Sequence, residues 1–385
     1  MKWNKKHKNN NAFNPFIITG YDTPKYFCDR KKETQKVISA LSNGRNVTLI
    51  SPRRMGKTGL IHHVFYEIKT NDKNPQCFYL DIFATQNLYE FVNLLGKTII
   101  GKLDSFSASM MKNITTVFKS LRPVFSIDTQ TGETSVSLNI QKEETETGLK
   151  EIFDYLKFGG KQCYIAIDEF QQITEYPEKG VEALLRSYIQ FLPNVKFIFA
   201  GSKKHIMDSI FSDSNRPFYQ STQKIGLKEI PIESYSEFAI KHFKENKLTL
   251  PYEVFNYIYG KTFGHTWYIQ LLLNQLYSLK LEKYSIKDVN EIIDDVLEEE
   301  NSTYKTYCEI ITKGQLKLLR AIAAEKKLSE PTESKFMLKY ELSAPSSVRL
   351  ALKSLLEKNL IIKDDNNNYS VYDRFFSFWL EKTIK

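Results

Sequence analysis

Along the first 230 residues, short apolar runs alternate with longer stretches in which apolar side chains recur every three or four positions. The runs are residues 46–50 (NVTLI), 77–81 (CFYLD), 163–167 (CYIAI) and 196–200 (KFIFA). Runs this short and continuous predict strands buried on both faces. Residues 223–227 predict a fifth, shorter strand. Leu60, Ile61, Val64, Phe65 and Ile68 mark one face of a helix that follows the first run and reaches about residue 69. Further helical patterns cover 29–41, 88–121 and 144–158. Strands alternating with helices imply an α/β fold with a mostly parallel sheet. Between residues 122 and 141 two alternating stretches flank Thr131-Gly132, which predicts an inserted β-hairpin.

From residue 232 to about 300 the pattern is wholly helical. Beyond it lie helical patterns near 312–324, 333–340 and 345–358, then two short strand patterns at 360–363 and 369–372. Helices followed by a small hairpin describe a winged helix-turn-helix. Asp373, Phe375, Phe376, Phe378 and Trp379 read as a packed closing segment rather than a base-stacking surface. The predicted division is a basic tail (1–20), an α/β core (21–230), a helical lid (231–300) and a winged helix domain (301–385).

A chain of 385 residues suits such a two- or three-domain division. With 42% hydrophobic and 26% charged residues it is neither a mainly disordered chain nor a fibre. The net charge of +9 sits at the ends: +7 over residues 1–46, −3 over 47–300 and +5 over 301–385. No apolar run approaches the ~18 residues that span a bilayer, and no apolar stretch follows the basic start, so no membrane partner is expected and the cytoplasm is the expected compartment. Cys28, Cys77, Cys163 and Cys308 lie too far apart for a C-x-x-C metal or redox pair.

The sharpest chemical signal lies between the first strand and its helix. Residues 51–58 read S-P-R-R-M-G-K-T, which fits the phosphate-loop pattern G-x-x-x-x-G-K-[ST] except that Ser51 stands for the first glycine. Gly56 lets backbone amides converge on phosphate oxygens. Lys57 sets a positive charge against the β- and γ-phosphates, and the Thr58 hydroxyl can ligate Mg²⁺. The following helix adds the partial positive charge of its N-terminus. The candidate phosphate-binding stretch is therefore Ser51, Pro52, Arg53, Arg54, Met55, Gly56, Lys57, Thr58 and Gly59. Arg53 and Arg54 either touch phosphate or serve a neighbouring domain.

Asp168-Glu169 ends the third run, 110 residues after Thr58. A carboxylate at the end of a buried strand, facing a phosphate-bound Mg²⁺, is the Walker B arrangement. Asp168 suits the metal, with Thr58. Glu169 suits polarisation of an attacking water.

With both motifs present, the chain resembles a bacterial AAA-family ATP-binding protein of the archaeal-type ATPase group, allied to the signalling STAND NTPases and AAA+ proteins. The resemblance runs from about residue 14 to 380. It is carried by N-P-F at 14–16, F-C-D-R-K-K-E at 27–33 and S-P-R-R-M-G-K-T at 51–58. I-D-E-F-Q at 167–171, R-P-F-Y at 216–219, G-H-T-W-Y-I-Q at 264–270 and V-Y-D-R-F-F-S-F-W-L at 371–380 complete it. It implies a P-loop core of AAA+ type with a helical lid and a C-terminal winged helix. It further implies that Phe27 and Arg30 border the nucleotide base; the bland alternative is a helix start capped by Asp29, which stands where the family pattern F-x-G-R has glycine. Ser202 falls at the polar sensor position after the fourth strand, or is a plain strand-end turn. Arg216 lies in the arginine-finger region, or is a salt-bridged surface residue. His265 reaches the nucleotide from the lid, or packs in the lid core.

The function expected is that of a Mg²⁺-ATP-binding protein that hydrolyses ATP slowly and thereby switches its lid and winged helix. Lys57, Glu169, Ser202 and Arg216 are the expected catalytic set. The partner is a protein or a second copy. The alternative is an ATP-gated DNA-binding protein that reads DNA with residues 345–358, where Arg349, Lys353 and Lys358 carry positive charge.

Overall fold

A computed structural model of the protein describes residues 13–71, 75–101, 117–127, 134–158, 162–364 and 366–383. They form two compact units, one of residues 19–234 and one of residues 13–18 with 235–383.

In the first unit, α1 (Lys31–Ser42) leads into β1 (Asn46–Ile50), α2 (Lys57–Asn71), β2 (Gln76–Asp81) and α3 (Leu88–Ile100). An antiparallel hairpin of β3 (Pro123–Ile127) and β4 (Thr134–Leu138) follows, then α4 (Thr145–Phe158), β5 (Cys163–Asp168) and α5 (Val181–Ile189). The unit closes with β6 (Val195–Gly201), α6 (Lys204–Ser212) and β7 (Thr222–Gly226). Five strands make one parallel sheet in the order β2-β5-β6-β1-β7. All five were predicted, within one or two residues at each end.

Alternation within each strand explains the continuous apolar runs. Ile165, Ile167, Phe197 and Phe199 face one core, which takes in apolar residues of α3, α4, α5 and α6. Tyr164, Ala166, Ile198 and Ala200 face the other, with Val37 of α1 and Leu60, Ile61 and Val64 of α2. Because the strands are parallel, the turns after β1, β5 and β6 open at one end of the sheet, the carboxyl end where ligands bind in open α/β sheets.

Three expectations need correction. The helix predicted over 88–121 ends at Ile100, with the Gly101 amide on the Lys97 carbonyl; residues 102–116 lie outside the described residues, as does the Thr131-Gly132 turn. Asp29 does not cap α1. The cap position is Arg30, with φ 62 and ψ 18 and no side-chain cap. Asp29 itself has φ 52, the left-handed conformation that Asp tolerates better than most and glycine best. The helices α5 and α6 were not predicted; each has nine residues, and α5 buries only Val181, Leu185 and Ile189.

In the second unit, α7 (Ile232–Glu245, from Tyr235 onward), α8 (Tyr252–Thr262), α9 (Thr266–Leu279) and α10 (Ile286–Glu299) make up the segment expected to be the helical lid. Phe16 is fully buried among Phe238, Phe243 and Tyr277. The Asn14 and Asn274 amides donate to the Asn274 and Phe16 carbonyls, so residues 14–16 belong to the lid's core. Next come α11 (Asn301–Glu309), α12 (Lys313–Glu325), α13 (Ser334–Lys339), α14 (Pro345–Glu357) and the hairpin of β8 (Ile361–Lys363) and β9 (Tyr369–Val371). Leu328 pairs with Tyr369 and adds a third edge to that hairpin. This is the winged helix arrangement.

The closing segment is packed, as expected, and forms a helix that was not foreseen, α15 (Arg374–Thr383). Phe376 stacks on Tyr304, and the Trp379 indole donates to Asn301 Oδ1 at 3.0 Å. No described helix is long and apolar enough to cross a membrane.

Candidate nucleotide site

The loop between β1 and α2 is built by its backbone. Left-handed conformations fall at Arg54 (φ 63) and Gly56 (φ 93), and Ser51 is not among the residues with positive φ. Serine therefore replaces the usual first glycine without strain. Its hydroxyl donates to the Pro52 carbonyl at 3.1 Å. Lys57 opens α2, is buried, and donates from Nζ to the Ser51 carbonyl at 3.3 Å. Burial pulls the Lys57 pKa down, opposed by the carboxylates of Glu169 and Asp168. Pro52, Arg53 and Arg54 are exposed, and the Arg53 guanidinium lies 5.1 Å over the Phe83 ring. Met55 is buried.

Arg30 is only 4% exposed and ties this loop to the body. It donates to the Met55 carbonyl at 3.2 Å and the Lys228 carbonyl at 2.6 Å, and pairs with Glu33 at 3.1 Å. Phe27 packs on the first turns of α2: a Cβ on Gly59 would lie 3.4 Å from its ring, and it stacks on His63 at 4.4 Å. His63 Nδ1 in turn meets the Tyr21 hydroxyl at 3.0 Å.

Partial burial lowers the His63 pKa below its ordinary 6.5. The unfolded chain then binds the proton more readily, so stability from this group is full above about pH 6.5 and falls as pH drops through the lowered value. His63→Gln is expected to flatten that acid limb, read as the urea midpoint of unfolding followed from neutral pH downward.

The acidic pair joins the loop directly. Asp168, buried at the end of β5, accepts at Oδ2 from Thr58 Oγ1 at 2.7 Å and from the Tyr79 hydroxyl at 3.0 Å. Its Oδ1 accepts from the Glu169 amide at 3.0 Å. Glu169 turns the chain off the strand with φ 54. Its Oε2 accepts from Ser202 Oγ at 2.7 Å and from Gln171 Nε2. Ser202 and Glu169, singled out separately in the sequence, thus meet.

Tyr79 and Asp81 were missed. Asp81 lies in register with Asp168 on the neighbouring strand, and partial burial beside Asp168 and Glu169 pushes its carboxyl up. The run CFYLD ends in an acid as CYIAID does, which was the available signal. Which strands are neighbours is not written in either run.

Gly201 closes this corner. A Cβ there would come within 2.4 Å of Met207 Sδ and 2.5 Å of Gln171 Oε1, both buried residues. Gly201→Ala is expected to cost about 1–3 kcal/mol by overpacking and to displace the Gln171 contact to Glu169. Denaturant unfolding and turnover measured on the same variant check both effects.

These residues suit a magnesium–nucleotide pair. A buried ammonium, an open glycine turn and a helix N-terminus converge on the loop, the donor set that phosphate requires. Thr58 and Asp168 present two oxygens already in contact. Among the described residues, no group of three or more His, Cys, Asp or Glu could hold a metal. Mg²⁺ takes few protein ligands and keeps waters and phosphate oxygens. Arg216 is ion-paired with Glu182, donating from Nε at 3.0 Å and from Nη2. His265 belongs to the helical unit, at the N-cap of α9, with its ring 4.9 Å from that of Tyr268.

The chain is similar to several known proteins. Residues 302–382 match the model of a probable winged helix domain. The uncharacterized ATP-binding protein MJ0147 of Methanocaldococcus jannaschii is 23% identical over 309 residues, which cover 73% of this chain and 76% of that protein. The Walker-type ATPase PABY2304 of Pyrococcus abyssi superposes with a TM-score of 0.64 at 19% identity, over 95% of this chain and 99% of its own. The ORC2 protein of Aeropyrum pernix, solved as ADPNP–ADP complexes, gives 0.56 at 14% identity, over 92% and 94%. With its parallel sheet, its phosphate-type loop between β1 and α2 and its C-terminal domain, the chain has the fold of an AAA+ P-loop ATPase that ends in a winged helix.

Proposed function

We propose that this chain binds Mg²⁺-ATP at residues 51–59 and hydrolyses it slowly, switching its helical lid and winged helix between arrangements. The observation that carries the reading is the hydrogen-bonded run Thr58–Asp168–Glu169–Ser202, which links the phosphate-type loop to the ends of β5 and β6. Lys57 and the loop amides hold phosphate, and Phe27 borders the base. Thr58 and Asp168 hold Mg²⁺, which would neutralise charge on the phosphates. Glu169 orients the attacking water, steadied by Ser202. Arg30 supports the loop from behind through the Met55 carbonyl. Arg216 serves as a finger only after leaving Glu182. The archaeal source of the compared proteins supports kinship with the archaeal-type ATPase group.

The lid and winged helix lie within one compact unit, joined by α15, and this supports a switch that moves them together. Tyr268 of the lid accepts at its hydroxyl from the Arg374 amide at 3.1 Å. The test is hydrogen exchange over residues 235–383, compared in ATP and ADP. A nucleotide-gated regulator predicts different protection in the two states; identical protection would contradict the switch.

A second reading, ATP-gated DNA binding through α14, draws on the exposed Arg349 and Lys353. Lys353 faces Glu357 at 4.0 Å, one turn on. In the wing, Asp364 accepts from the Asn366 and Asn368 amides, so this carboxylate is directed into its own turn. DNA affinity that falls steeply with salt in the ATP state would support this reading; salt-insensitive or absent binding would remove it.

A further inference from the structure

The last helix begins with a buried charge. Arg374 is 5% exposed, yet only one guanidinium nitrogen has a hydrogen-bond partner: Nη2 donates to the Lys261 carbonyl at 3.1 Å. Nε and Nη1 are buried and make no hydrogen bond. Asp373 and Glu381 act on it through space, but neither hydrogen-bonds to the guanidinium. Burial pulls its pKa down, the mark of a cation short of solvation. A buried cation with unmet donors is costly to keep unless something completes it.

The same guanidinium borders a cavity of about 250 Å³ within the second unit. Lys261, Lys326, Asn256, Tyr257, Phe263 and Phe378 share its lining, and no acidic residue does. Cations and rings alternate across it. Arg374 lies 3.9 Å over Phe263 and 5.0 Å over Phe378, and Lys261 lies 5.5 Å over Phe378. Lys327 covers Phe263 at 5.1 Å. No ion pair holds Lys261 or Lys326 among the described residues.

Two lining residues also bear backbone strain. Phe263 has φ 54. Lys326 has φ 63 and ψ −47, in a γ-turn closed by the Lys327 amide on the Glu325 carbonyl at 2.6 Å. Strain of this kind persists where the surroundings enforce it, often around ligands.

We propose that this cavity is a binding site for a small free oxyanion with at least two negative charges, a phosphate or a polycarboxylate. Arg374 supplies the buried donors, and Lys261 and Lys326 supply charge at the walls. The volume corresponds to about eight waters, enough for such an anion. Lys261 and Phe263 come from the lid, Lys326 from the end of α12 and Arg374 from α15. A bound anion therefore fastens the lid to the winged helix, which makes the site a control point independent of the phosphate loop.

The test uses the full chain carrying Lys57→Ala, so that the loop does not contribute. Inorganic phosphate and citrate are titrated by calorimetry, with potassium chloride at equal ionic strength as the reference. Saturable binding at about millimolar Kd or tighter is expected, with Lys326→Gln or Lys261→Gln weakening it about ten-fold. Arg374→Met should abolish it; if that variant does not fold, the two lysine variants decide. Phosphate binding alone, or citrate binding alone, supports the site and identifies its anion. Heats no different from potassium chloride, or affinities unchanged in both lysine variants, would overturn the proposal.

Discussion

Replacing Lys57 with alanine is expected to lower ATP turnover by roughly 10²–10³-fold or more, the loss seen when a preorganised donor to developing charge is removed. The reason lies in where the ammonium sits. It is 5% exposed, held by the Ser51 carbonyl inside its own loop and between the fields of Glu169 and Asp168. It is therefore held within the loop and largely screened from bulk solvent. ATP affinity falls with turnover, because the same charge holds the ground state. Lys57→Arg is expected to fail as well: the loop is built around a compact point charge, and a planar guanidinium has a different donor geometry. Phosphate-release rates and ATP titration on both variants give the measurement. Turnover equal to the parent protein in Lys57→Ala would remove this loop from the chemistry.

Glu169→Gln is the second large effect and has the opposite signature. Glutamine keeps the shape and can still accept from Ser202 and Gln171, but it carries no charge to orient and polarise water. Turnover is expected to drop about 10²–10⁴-fold, the usual contribution of a positioned general base, while ATP binding is retained. The variant should accumulate bound, uncleaved ATP, seen as slow release of labelled nucleotide after gel filtration. Ser202→Ala acts on the same carboxylate only by loosening it, so its loss should be smaller. Unchanged turnover in Glu169→Gln would remove Glu169 from the hydrolytic step.

How much of this was legible in the sequence follows from the range of each interaction. Four of the five sheet strands and α2 were legible because burial on both faces leaves a nearly continuous apolar run, and a phosphate-type turn needs a fixed residue order; β7, last in the strand order, buries only Ile225 and gave the weakest signal. Thr58 and Asp168 are 110 residues apart, yet each was marked by its own local pattern. Arg30 was singled out, but its grip on the Met55 carbonyl depends on two left-handed residues that a glycine-free sequence does not announce. Tyr79 and Asp81 stayed hidden because only the pairing of β2 with β5 brings them to Asp168. The Arg374 cavity was hidden for the same reason. Its parts come from three separate elements, and the aromatic run that contains Arg374 reads as packing alone.

The most direct measurement of the central claim is steady-state phosphate release from ATP by the purified full chain, with and without Mg²⁺, set against Lys57→Ala. Saturable, Mg²⁺-dependent release that vanishes in Lys57→Ala is the predicted result. Release that persists in a chelator, or none above the Lys57→Ala background while ATP is bound, would contradict it.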